Sequence, residues 1–226
     1  RKYFLKKIYV RFYQEIELLL PKNVNGKVVE LGSGAGFIKE VIPECITSDI
    51  VPGKGIDRII NVSKIPFQTK SVSAFIMLNT FHHIKDLEKA LREMQRCLKP
   101  HGKIIMIEPC NSFWGRFIYK YFHHERFDPT TPDWKIKGKG RLTDANSAMP
   151  WIIFIRDKKI FKKRFPMLKI KTIRPHTPFA YLISGGFSGP QLLPSFLFGT
   201  IKLIENLLTP LNNLLGMFVT IELEKK

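Results

Sequence analysis

Residues 28–37, Val-Val-Glu-Leu-Gly-Ser-Gly-Ala-Gly-Phe, carry the most specific chemical signal in the chain. An apolar, β-branched run leads into Gly32-Ser33-Gly34-Ala35-Gly36, a turn expected to join a buried strand to a helix. Glycines let the backbone pass close beneath a ligand where a Cβ would clash, and a helix N-terminus adds unpaired N–H donors. Such a turn says little alone. Asp49 adds to it, because it ends a second apolar run nineteen residues after Glu30. An acid near that spacing in a nucleotide-binding α/β unit accepts hydrogen bonds from ribose hydroxyls. Groups able to move a proton follow the expected fourth and fifth strands: His82 and His83, of a type that titrates near neutrality, and Glu108. Sites in α/β sheets lie at the carboxyl ends of the strands, so these three are the candidate catalytic bases.

The downstream text extends the pattern. Asn61-Val62-Ser63-Lys64-Ile65-Pro66-Phe67, Leu78-Asn79-Thr80-Phe81-His82-His83-Ile84 and Arg92-Glu93-Met94-Gln95-Arg96-Cys97-Leu98-Lys99-Pro100-His101-Gly102 follow in order. With the glycine turn and its preceding acid, residues 26–110 resemble class I S-adenosylmethionine-dependent methyltransferases, in particular the branch that methylates small molecules and quinones. The resemblance implies a Rossmann-like, doubly wound α/β fold. Its sheet would have seven mostly parallel strands with the last antiparallel, and a basic aromatic insert would follow strand five. It also implies S-adenosyl-L-methionine as cofactor. Glu30, Gly32, Ser33, Gly34 and Gly36 would hold the methionine part, Asp49 the ribose hydroxyls, and Ile50 would pack on the adenine. Asn61 and Val62 would sit at the adenine edge, and Asn79 would offer its backbone to the amino group. Two positions depart from the pattern: Asn61 stands where Asp is usual, and His101 where glycine is usual. A dinucleotide fingerprint fits less well, since Gly36 follows Gly34 by two residues rather than three.

The methyl sulfonium of such a cofactor is already activated, so the protein chiefly aligns a nucleophile and removes its proton where needed. No Asn/Asp-Pro-Pro-aromatic motif follows strand four, which disfavours amino-methylation of DNA bases, and no DNA partner is expected. Cys110 reads as structural, and no His, Cys or carboxylate cluster in the sequence suggests a metal. His123, His124, Asp144 and Asn146 are further candidates for the catalytic role.

Elements must position these groups. Apolar residues at Phe4, Ile8, Phe12, Ile16 and Leu19 predict a helix over 3–20. Strands are expected at 27–31, 45–50, 58–61, 72–78 and 103–108, with a helix over 86–98. Beyond Glu108 a helix is expected near 146–164, a strand near 168–173, an amphipathic helix near 196–215 and a strand at 217–224. One methyltransferase domain is expected across residues 1–226. It divides into an N-terminal helix (1–25), a cofactor-binding core (26–110) and a lid, substrate-side and closing part (111–226).

The 226 residues carry a formal net charge of +18, and the three cysteines are too scattered for a disulfide framework. That suits a reducing, cytoplasmic setting. Residues 26–110 hold twelve basic and nine acidic side chains, whereas residues 111–190 hold sixteen and five. The excess is therefore regional. It accompanies eight aromatics in 113–134 and a stretch, 175–201, without Asp, Glu, Lys or Arg. Pro178, Pro190 and Pro194 with Gly185, Gly186, Gly189 and Gly199 break that stretch as a membrane-spanning helix. The favoured expectation is a small-molecule or lipid-like acceptor. The basic residues (Lys135, Lys137, Lys139, Arg141, Lys158, Lys159, Lys162, Lys163, Arg164) would rest on an anionic membrane face, peripheral on its inner side. Phe196, Leu197, Ile201 and Ile204 would dip into the same interface. An RNA methyltransferase, with lysines on phosphates and aromatics on bases, is the second expectation. A non-catalytic cofactor-binding or interaction protein is the third.

Overall fold

The apolar runs pair into one seven-stranded sheet. In the computed structural model, which describes residues 2–34, 36–136, 144–187 and 189–226, the strands are β1 (Lys27–Leu31), β2 (Ile46–Asp49), β3 (Arg58–Ile59), β4 (Val72–Leu78), β5 (Leu98–Pro109), β6 (Leu168–His176) and β7 (Phe218–Lys225). Their order across the sheet is β3-β2-β1-β4-β5-β7-β6. Strands β1 to β5 run parallel, and β7 is antiparallel to both β5 and β6. The doubly wound class with a reversed last strand is therefore observed. The winding changes direction between β1 and β4, and such a switch point opens a crevice beyond the strands' carboxyl ends.

The described helices are α1 (Tyr3–Leu19), α2 (Leu87–Cys97), α3 (Phe113–Tyr121), α4 (Met149–Trp151), α5 (Lys158–Arg164), α6 (Ala180–Ile183), α7 (Phe198–Leu207) and α8 (Asn212–Leu215). They cover both faces of the sheet, which explains why all seven residues of β4 are buried. Its alternation divides the core: Phe75 and Met77 join α2, α4 and α5 on one face, and Ile76 and Leu78 join α1 and α7 on the other. Helix α1 buries Phe4, Ile8, Tyr9, Phe12, Tyr13 and Ile16 on a single stripe. Helix α2 starts at Asp86, whose carboxylate accepts the Lys89 N–H at 2.9 Å.

Four expectations need correction. The glycine turn does not open an α-helix; only a 3-10 turn, Ile38–Glu40, follows it. Ile38, Ile42 and Cys45 pack in the cluster built by the apolar stripe of α1, so the N-terminal helix covers that face of the sheet. The helix expected near 146–164 is interrupted by a π turn at Ile152–Arg156, where the Asp157 N–H reaches back to the Ile152 carbonyl at 2.8 Å. Pro210 stands in a 3-10 turn, Thr209–Leu211, that splits the helix expected over 196–215. Finally, the basic and apolar stretches do not share a surface. Phe161 carries α5 onto one face of the sheet, and Phe198 carries α7 onto the other. Lys137, Lys139 and Arg141 lie outside the described residues.

The position taken by His101 has φ +61°, in the left-handed region, which accounts for the usual glycine there. No described helix is long and apolar enough to cross a membrane.

Candidate active site

Among the segments that leave the sheet at its carboxyl edge are residues 32–34 and 36 after β1, residues 49–51 after β2 and residues 79–83 after β4, with residues 60–63 following β3. Gly32 has φ +75°, and a Cβ there would lie 2.3 Å from Thr80 Cγ2, so the first loop passes directly against the third. Gly34 has φ +51° with nothing within 4 Å of a Cβ, and its N–H donates to Asp49 Oδ2 at 2.9 Å. Asp49 Oδ1 accepts the Ile50 N–H at 2.7 Å. A Cβ on Gly36 would meet the Ser33 carbonyl oxygen at 2.6 Å and the Tyr13 hydroxyl at 2.7 Å.

These loops border a cleft in two parts. Gly32, Asp49, Ile50, Asn61, Val62 and Asn79 line one part. Gly32, Ser33, Gly34, Gly36 and Asn79 line the other, roofed by Tyr9, Val10 and Tyr13 of α1. The ten residues read from the sequence as cofactor-binding are Glu30, Gly32, Ser33, Gly34, Gly36, Asp49, Ile50, Asn61, Val62 and Asn79, and all but Glu30 line the cleft. Glu30 is buried beneath it, accepting the Tyr13 hydroxyl at 2.9 Å with Oε1, while Oε2 has no partner. Burial, offset in part by Ser33 and Tyr13, lifts its pKa to about 7.

Asn79 is the hub. Its backbone is left-handed, φ +52°, a conformation Asn tolerates better than most residues. Its Nδ2 donates to the Tyr9 hydroxyl at 3.1 Å, and its buried Oδ1 has no partner. Asn79 lines both parts of the cleft and also a third cavity of about 490 Å³. Ile118, Phe122, Tyr181 and Phe187 give that cavity apolar walls, and His82, His83, His123, His124 and Glu125 give it a polar end.

The candidate bases stand differently from one another. Glu108 is fully buried: Oε1 accepts the Thr80 and Phe81 N–H groups at 2.9 and 2.8 Å, and Oε2 lies 2.5 Å from His82 Nδ1. It lines none of these cavities and fixes the turn after β4. His82 is sandwiched, with Nε2 3.2 Å from Glu125 Oε2. Burial opposes its charge, but Glu108 and Glu125 prevail and lift its pKa to about 9. His83 lies beside the cleft and the third cavity with Nδ1 unpartnered, and burial together with the His82 charge pushes its pKa down. Burial also lowers His123. Burial would raise Glu125, yet hydrogen bonding to His82 brings it to about 2.

Asp144 and Asn146 line a separate cavity. Asn146 is occupied in pinning a loop, accepting the Asp128 N–H at 2.9 Å and donating to the Asp128 carbonyl at 2.9 Å. Cys110 is buried, and burial pushes its thiol up to about 12, as suits a structural residue. Sequence reasoning missed Glu125, Tyr9, Tyr13 and Tyr181. Glu125 directly follows His123 and His124, and Tyr9 and Tyr13 are four apart on the buried stripe of α1. Those were the available signals. The sequence shows no metal motif, but the fold gathers ligand-capable atoms of His82, His83 and Glu125 within 4.8 Å of one another.

Residues 29–106 match the sequence model of a family described as "Methyltransferase domain". Among solved structures, an S-adenosylmethionine-dependent methyltransferase from Thermotoga maritima is 19% identical, with a TM-score of 0.57 over 96% of this chain and 89% of that one. One from Mesorhizobium loti is 14% identical, with a TM-score of 0.53 over 94% and 96%. The geranyl diphosphate C-methyltransferase of Streptomyces coelicolor, in complex with Mg2+, geranyl-S-thiolodiphosphate and S-adenosyl-L-homocysteine, is 15% identical. Its TM-score is 0.54 over 96% of this chain and 76% of that one. At these identities the likeness to the solved structures is one of fold. No curated protein gives a match.

Proposed function

We propose that this chain, a class I S-adenosylmethionine-dependent methyltransferase, transfers its methyl group to a small molecule with an apolar body and an oxygen or nitrogen nucleophile. The observation that carries the acceptor reading is the sharing of Asn79 between the cleft and the third cavity. A volume of about 490 Å³ falls in the range of small-ligand pockets, and apolar walls with a few convergent polar groups are their usual lining.

The cleft fits the cofactor on three counts. Gly32 and Gly36 leave room that a Cβ would fill, Asp49 stands at the end of β2, and Asn79 Oδ1 is a buried acceptor in want of a donor. In this reading Gly32, Ser33, Gly34 and Gly36 cradle the methionine part, and Asn79 receives its ammonium group. Asp49 takes the ribose hydroxyls, and Ile50, Asn61 and Val62 bound the adenine. Glu30 supports the loop from below through Tyr13. The cofactor supplies an activated methyl group; the protein's task is alignment. His83, which borders both the cleft and the third cavity, orients the acceptor's nucleophilic atom. His82 and Glu108 act behind it as positioning residues, through the turn they fix.

Isothermal titration with S-adenosylmethionine tests the cofactor reading. Asp49→Ala is expected to weaken binding at least about tenfold, the scale of lost charge-assisted hydrogen bonds. Unchanged affinity would overturn the assignment.

The same reading takes an anionic membrane as the surface from which a lipid-like acceptor is met. Support comes from α1 and α7. Lys6, Lys7 and Arg11 are exposed on α1, and the Arg11 guanidinium lies 5.3 Å from the Phe198 ring of α7. Phe196, Leu203, Ile204 and Leu207 are exposed on and just before α7. Positive charge beside an exposed apolar helix is the composition of an interfacial contact.

A further inference from the structure

Glu125 is surrounded by imidazoles at the polar end of the 490 Å³ cavity. His82 Nε2 lies 3.2 Å from Glu125 Oε2, and His83 Nε2 lies 3.5 Å from Glu125 Oε1. His123 Nδ1 and His124 Nε2 stand farther off, at 3.9 and 3.8 Å. A tetrahedral ion with bonds of about 2.0–2.1 Å spaces its ligand atoms roughly 3.3 Å apart. The two shorter separations are close to that edge, each to a different oxygen of the carboxylate, and one ligand atom from each of the three residues falls within 4.8 Å of the others.

The surroundings of His82 point the same way. Its Nδ1 is held at 2.5 Å by Glu108, a carboxylate itself fixed by two backbone N–H groups. A carboxylate on the far nitrogen is the arrangement that orients metal-bound imidazoles and fixes their tautomer. With the Nδ1 hydrogen given to Glu108, the Nε2 lone pair faces the Glu125 carboxylate oxygen. A proton or a metal ion between these two atoms satisfies both, so the contact is also one that a metal ion can occupy in place of the proton.

We propose that His82, His83 and Glu125 form a binding site for a divalent transition ion of the Zn2+ class, open toward the acceptor cavity. Two imidazoles and one carboxylate suit Zn2+, Co2+ or Fe2+ better than the oxygen-seeking Mg2+ or Ca2+. All three residues line the cavity, so a remaining coordination position faces the space assigned to the acceptor. There the ion would bind the acceptor's oxygen or nitrogen and orient it toward the cofactor cleft. Ion binding itself is independent of the methyl-transfer reading; only this purpose rests on it.

The test uses the 226-residue chain stripped of metal, titrated with Zn2+ by calorimetry and with Co2+ by visible absorption. S-adenosylhomocysteine binding and the melting temperature are followed on the same samples. One ion per chain is expected, with Co2+ bands in the visible and an affinity at least about tenfold lower in Glu125→Gln and in His83→Ala. Both side chains are partly exposed, and the melting temperature reports whether each variant folds. No saturable binding, or an affinity unchanged in both variants, would overturn the site and leave a proton-bridged His82–Glu125 pair. Absence of S-adenosylhomocysteine binding, with metal binding intact, would instead overturn the assignment of the cofactor cleft.

Discussion

At the scale of the residue, Gly32 and Gly34 separate two reasons for glycine. Both have positive φ, but only at Gly32 would a Cβ also collide, 2.3 Å from Thr80 Cγ2. Gly34→Ala is therefore expected to cost about 1–2 kcal/mol of stability from backbone conformation alone. Gly32→Ala should cost clearly more and displace the turn after β4, with cofactor affinity falling as well. Urea denaturation of the two variants checks the order, and equal losses would refute the contact argument. The glycine turn and Asp49 were legible in the sequence because residue type and spacing mark each within its own segment, although Gly34 N–H and Asp49 Oδ2 meet only in the fold. The His82–Glu108–Glu125 arrangement was not, since its three members come from separate segments and only the sheet brings them together. Glu108 shows the limit of residue type as a guide. A glutamate ending a strand reads as a base, yet its oxygens are taken by two backbone N–H groups and an imidazole.

At the scale of the element, α1 does what the missing helix after the glycine turn was expected to do. It packs on that face of the sheet, accepts the Asn79 side-chain amide at its Tyr9 hydroxyl and holds Glu30 through Tyr13. The 3.6-residue period announced the helix; which strand ends it would roof could not be read, because a buried stripe does not name its partner. Strands β1 and β4 match their expected limits, β4 buried throughout and β1 at its last three residues, whereas the segments after α3 are broken by the turn holding Pro210 and by a π turn. The α1–β1 contact also sets a pH dependence. The folded pKa of Glu30, about 7, lies above the ordinary carboxyl value of 4.5, with Tyr13, Ser33 and Asp49 facing it. The folded state thus binds the proton more tightly, so Glu30's contribution is complete below about pH 4.5 and is lost as pH rises to about 7. Glu30→Gln should flatten the melting temperature between pH 5 and 7.5, by about 1–3 kcal/mol in stability terms. An unchanged slope would remove Glu30 from the account. His176, held down to about 4 by burial, acts in the opposite sense, adding stability as pH rises from about 4 to 6.5.

At the scale of the whole molecule, the net charge of +18 divides between surfaces that face apart. The lysines of α5 lie over one face of the sheet; α1, with Lys6, Lys7 and Arg11 exposed and Arg11 against Phe198, lies with α7 over the other. Sedimentation with anionic vesicles should therefore fall on Lys6→Glu with Lys7→Glu and be little changed by Lys162→Glu with Lys163→Glu. Equal binding to neutral vesicles would overturn the membrane reading, and steeply salt-dependent RNA binding in its place would favour an RNA acceptor. Composition showed that the charge was regional, but a sequence does not reveal which side of a sheet a segment will cover. The topology has a temporal consequence as well. Strand β7 sits between β5 and β6, yet it is the last of the seven to be synthesised. During translation β6 has no edge to join until Phe218–Lys225 emerges, so the apolar edge of β5 waits exposed while more than a hundred residues are added. Assembly of this half of the sheet is thus postponed until β7 has been made, and a nascent chain halted before β7 would present β5 as an open edge to any other strand within reach.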